Sequence, residues 1–124
     1  VHQDGIAVVP AFPLEQDGVI DPTGAGDSFA GGFMGYLASS GTLDFKTMQA
    51  GMAWGTVTAS FTLGSFGLDG LCATSLDQLH TRMHEFKKIA SCFQVLLLNL
   101  KYNPIIIPIT TAPLICKVVS NTMF

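Results

Sequence analysis

The residues best suited to chemistry lie together in Asp21-Pro22-Thr23-Gly24-Ala25-Gly26-Asp27-Ser28-Phe29-Ala30-Gly31-Gly32. Before this run, Gly18-Val19-Ile20 reads as a short strand after a turn. After it, Phe29, Phe33 and Leu37 recur at helical spacing on one face. Pro22 ends the strand, and the glycines let the backbone turn tightly with its amides unobstructed. A strand, a glycine turn and a helix start bring unpaired N–H groups to the positive end of a helix dipole, which suits an anion. Two common phosphate loops do not fit. Residues 1–45 hold no Lys or Arg for a P-loop, and Phe29 stands where the dinucleotide fingerprint needs its third glycine. An anion here must rely on amides, the dipole and cations from elsewhere. Asp27 is the odd member, because a carboxylate repels phosphate in the ground state. Either it takes a proton from a hydroxyl attacking a phosphoryl group while the amides hold the developing charge, or it is a helix-start acid favoured by the dipole.

The run from Asp21 to Phe29, continued through Ala30-Gly31-Gly32-Phe33, resembles the C-terminal signature of the ribokinase-like (PfkB-type) sugar and nucleoside kinases, D-T-x-G-A-G-D-x-F. Pro22 stands where that family often has threonine. The resemblance implies an ATP-dependent kinase with Mg2+ bridging the ATP phosphates. It makes Asp27 the base that activates the substrate hydroxyl, and the amides of Gly24, Ala25 and Gly26 the anion hole. It further implies a monovalent cation, K+, held by Asp21 and Thr23 together with Ala59, Thr62 and Gly64 from a later loop. Leu68 occupies a position where some potassium-dependent members have serine. The implied fold is a three-layer α/β/α sandwich with a mostly parallel sheet, of which this chain supplies the C-terminal portion, a fragment expected to be inactive alone. Residues 1–90 are taken as that portion and 91–124 as an apolar tail with no family counterpart. The substrate would be a small sugar or nucleoside, and the full-length protein a possible homodimer. The other reading is a non-catalytic remnant that binds nucleotide or pairs with other subunits.

These residues need elements to position them. The first helix is expected from about Ala25 to Ala38, stopping near Gly41. Gly31, Gly32 and Gly35 lie close together on it, and close approach of a neighbouring backbone would explain three residues that each weaken a helix by about 1 kcal/mol. Asp44 is a fair N-cap for a second helix to about Phe61, with Met48, Met52 and Ala59 on its buried side and Trp54 near an edge. Ser75 and Gln78 form a capping-box pattern ahead of a short amphipathic helix carrying Leu76, Leu79, Met83 and Phe86. His80 and His84 lie one turn apart there, without a third ligand, and read as a solvated face rather than a metal pair. Residues 5–12, limited by Pro10 and Pro13, read as an edge strand or an irregular extended segment, with Asp17-Gly18 turning the chain back toward Val19-Ile20.

Composition bounds the rest. The 124 residues carry a net charge of −3, which leaves no electrostatic footprint for nucleic acid. Cys72, Cys92 and Cys116 are odd in number and lack metal spacing. They read as free thiols in a reducing, cytoplasmic setting, and no signal peptide is visible. All 13 glycines lie at or before Gly70 and every acid at or before Glu85. Such a break marks a boundary or a change of origin. The apolar runs Phe93–Leu100, Pro104–Pro108 and Leu114–Cys116 read as strands, too short to span a membrane. Together with Val1 at the start, they suggest a piece of a longer kinase whose tail is either an altered C-terminus or an extra hairpin covering an exposed surface.

Overall fold

A computed structural model describes residues 3–15 and 17–102. Four helices follow one another: α1 (Ala25–Ser40), α2 (Phe45–Leu63), α3 (Asp69–Ala73) and α4 (Leu76–Tyr102). The chain divides into two compact units, Val1–Phe86 and Lys87–Phe124. In the second, helix continues from Lys87 to Tyr102, and Ser91 Oγ donates to Lys87 O at 2.8 Å.

The expected α/β sandwich is not what this chain forms. No sheet exists among the described residues, and the only β-type pairing is an isolated bridge at Gly5. A strand is defined by its ladder, and the strand-like segments here have none. Residues 6–15 are irregular and carry Pro10 and Pro13, which lack the N–H that a ladder needs. Asp17-Gly18 makes a turn closed by Gly18 N–H on Glu15 O at 2.8 Å, but no hairpin follows. Ile20 instead donates its N–H to Leu63 O at 2.8 Å, so the second strand-like piece docks on the end of a helix.

The helix starts and stops follow local chemistry. Asp44 Oδ1 accepts the Thr47 N–H at 2.8 Å at the start of α2, while Gly41 closes α1 with φ 69°, a left-handed turn that suits glycine. The capping box of α4 is formed in both directions. Gln78 Oε1 accepts the Ser75 N–H at 2.8 Å, and Ser75 Oγ accepts the Gln78 N–H at 3.3 Å. This helix is far longer than the short one expected. The Phe93–Leu100 run, read as a strand, has helical backbone. It is rich in leucine, a strong helix former, and no Pro or Gly occurs between Ser75 and Pro104 to stop the helix. Pro104–Pro108 and Leu114–Cys116 lie outside the described residues.

The first unit is built on α1 against α2. The two backbones approach most closely where Gly32 faces Gly55: a Cβ on Gly32 would lie 3.1 Å from Gly55 Cα, and one on Gly55 would lie 2.7 Å from Phe29 O. Gly31 and Gly35 face open space, so one of the three α1 glycines serves the close approach, not all three. The buried line of α2 consists of Gly51, Gly55, Val57, Ser60 and Thr62, whereas Met48, Met52, Trp54 and Ala59 are half-buried. Helices this close exclude bulky side chains from the innermost line and push methionine to its flanks. Leu37, Val57, Met83 and Phe86 fill the core, with Phe12 stacked on Phe86 at 6.3 Å.

Candidate active site

The Asp21–Asp27 turn is pinned at its Asp21 end. Asp21 Oδ1 accepts the Thr23 N–H at 2.9 Å and Oδ2 accepts the Gly67 N–H at 3.3 Å. Those donors, Thr23 first, hold the Asp21 carboxyl below the usual carboxylate range. Gly24 then adopts φ 80°, a conformation costly for any residue with a side chain, and serves as N-cap of α1 without a side-chain acceptor. Its α-carbon rests against the end of α2 and the loop that follows, since a Cβ there would lie 3.9 Å from Thr62 Cγ2 and 3.8 Å from Leu68 Cδ2.

The amides beyond this turn are the chemically useful feature. The first helical bond runs from Ser28 N–H to Gly24 O at 2.9 Å, so the amides of Gly26 and Asp27 have no helical acceptor. The Ala25 N–H turns back toward Pro22 O at 3.3 Å, a long bond that an anion could displace. Asp27 is the third residue of α1 and is exposed. Unlike Asp21 and Asp44, its carboxylate has no hydrogen-bond or ion-pair partner among the described residues. A free carboxylate and an uncapped set of amides therefore share one helix end.

The five residues expected around a monovalent cation are only partly brought together. Asp21 and Thr23 in the turn lie beside Thr62 and Gly64 at the end of α2, joined by the Asp21–Gly67 and Ile20–Leu63 bonds. Some of their oxygens already make hydrogen bonds. Both Asp21 oxygens accept N–H groups, Thr62 Oγ1 donates to Ser28 Oγ at 2.7 Å, and Thr62 O accepts the Gly64 N–H. Ala59 lines a cleft of about 290 Å³ with Val9, Phe12, Phe29 and Leu63, a mostly apolar lining. No catalytic step is assigned to that ion. Elsewhere, among the described residues, no group of three or more His, Cys, Asp or Glu side chains gathers to hold a metal. His84 is exposed, and His80 is exposed with its ring edge-on to Trp54 at 5.5 Å.

Two features escaped sequence reasoning. The Ser28–Thr62 hydroxyl pair is buried, and its only trace in the sequence is small polar residues at inward helical positions. Arg82 lays its guanidinium 3.7 Å from the Phe61 ring centre and donates to Ser60 Oγ at 3.2 Å. Burial lowers its affinity for the proton, with Glu85 acting in the opposite direction. No sequence pattern marks that stack. No helix among the described residues is long and apolar enough to cross a membrane.

The family model described as pfkB family carbohydrate kinase matches residues 1–74, more than half of the chain. The chain belongs to that family. No individual curated protein matches it. The match takes in the whole Asp21–Gly67 region and ends at Thr74, just ahead of α4.

Proposed function

We propose that this site performs ATP-dependent phosphoryl transfer to a hydroxyl of a sugar or nucleoside, with Asp27 as the base. Asp27 accepts the hydroxyl proton as the oxygen attacks the γ-phosphorus. The new O–P bond forms while the bond to the β-phosphate oxygen breaks, and ADP leaves with that electron pair. The Gly24, Ala25 and Gly26 amides and the dipole of α1 stabilise charge developing on the transferring group. Mg2+ chelated by the ATP phosphates neutralises part of that charge when bound. The observation that carries the reading is the unpartnered Asp27 carboxylate on an uncapped helix start behind the left-handed Gly24. Family membership supplies the chemical class.

Asp27→Asn tests it, because the amide keeps the shape and cannot accept the proton. Transfer from labelled ATP to a panel of sugars and nucleosides should fall by about 10²-fold or more, with nucleotide binding retained. Equal turnover by the variant would remove Asp27 from the mechanism. Nucleotide binding without turnover in the unmodified protein would favour a non-catalytic binding module instead.

A further inference from the structure

We propose that Thr62 and Ser28 form a positioning pair that fixes the first turn of α1 and so aims Asp27, an inference that rests on the reading of Asp27 as the base. α1 begins at Gly24 with no capping side chain, and an uncapped start frays readily. One residue of that turn is nevertheless tied down. Ser28 directly follows Asp27, is 6% exposed, and makes the first helical bond to Gly24 O. Its Oγ accepts the Thr62 hydroxyl at 2.7 Å across 34 residues of sequence, and Thr62 is fully buried. Successive helical residues are turned by about 100°. Holding Ser28 inward therefore holds Asp27 outward, where it is exposed. Thr62 is a firm anchor because the end of α2 is itself fastened, through Leu63 O to Ile20 N–H and Thr62 O to Gly64 N–H. Water cannot take the place of the lost donor in so buried a position.

The test is amide hydrogen exchange on the full chain. Thr62→Val keeps the side-chain shape without the donor, Ser28→Ala removes the acceptor, and Thr62→Ser keeps the hydroxyl. Exchange at Ser28 and Phe29, the first amides inside the helical ladder, should rise about fivefold in Thr62→Val and Ser28→Ala. It should stay at the native rate in Thr62→Ser, and amides from Phe33 to Leu37 should not change in any variant. Unchanged exchange at Ser28 in Thr62→Val, or an equal rise along all of α1, overturns the proposal. In phosphoryl transfer, Thr62→Val should lower kcat while leaving KM for ATP, with Thr62→Ser restoring it. Native kcat in Thr62→Val beside a dead Asp27→Asn would discard the positioning role and leave the base in place. Native turnover in Asp27→Asn would discard the base, whatever the exchange shows.

Discussion

Replacing Gly55 by alanine should force α1 and α2 apart. The added methyl would sit 2.7 Å from Phe29 O and 2.9 and 3.0 Å from two carbons of the Phe29 ring. The ring can turn, but the carbonyl belongs to the backbone of α1, so relief needs a shift of the helix by several tenths of an ångström. Overpacking of this kind costs about 1–3 kcal/mol, against about 1 kcal/mol gained when alanine replaces a helical glycine. The net expectation is a loss of up to about 2 kcal/mol. Gly31→Ala and Gly35→Ala supply the control, since a methyl at either position meets nothing within 4 Å. Both should gain about 0.5–1 kcal/mol. Urea unfolding of the four proteins, followed by helical circular dichroism, measures the differences as shifts of midpoint at constant slope. A gain in Gly55→Ala equal to that in Gly31→Ala would refute the close packing. So would a loss in Gly31→Ala as large as in Gly55→Ala.

Acid should weaken the fold in a particular window. Asp21 and Asp44 both have carboxyls held below the usual range by N–H donors, so the unfolded chain takes up these protons first. Their contribution is complete above about pH 4 and is lost as pH falls through the lower folded-state values. Unfolding midpoints measured at descending pH should drop below that point, and more gently in an Asp21→Asn, Asp44→Asn double variant. Arg82→Met should destabilise by about 1 kcal/mol through loss of the Phe61 stack and the Ser60 bond, and Arg82→Lys should not restore it in thermal melts.

What the sequence made legible was local. The Asp44 cap, the Ser75–Gln78 box and the Gly41 stop are each read from a side chain or a glycine acting on its own neighbours, and all three form. The packing of α2 was not legible, because apolar periodicity points to Met48 and Met52 while the contact line is set by glycines that carry no hydrophobic signal. The edge-strand reading of residues 5–12 and the strand reading of Val19-Ile20 failed for a related reason, and the irregular alternative for the former is the one that forms. Alternation and β-branched residues describe a strand's preference, but only a partner strand makes one, and Ile20 finds a helix end instead. Leu-rich Phe93–Leu100 satisfied either period, and its continuity with the capped start of α4 decided for helix. At the site, the Gly-Ala-Gly-Asp spacing announced the uncapped turn and the exposed Asp27. The Ser28–Thr62 bond needed the fold, since nothing in the sequence says that residues 34 apart meet.

Phosphoryl transfer from labelled ATP, compared between the native protein and Asp27→Asn over a panel of sugars and nucleosides, tests the central claim most directly. With the site carried in the full-length kinase, the account predicts product on at least one hydroxyl acceptor and a fall of about 10²-fold or more in the variant, with nucleotide still bound. Equal product from both proteins would contradict it.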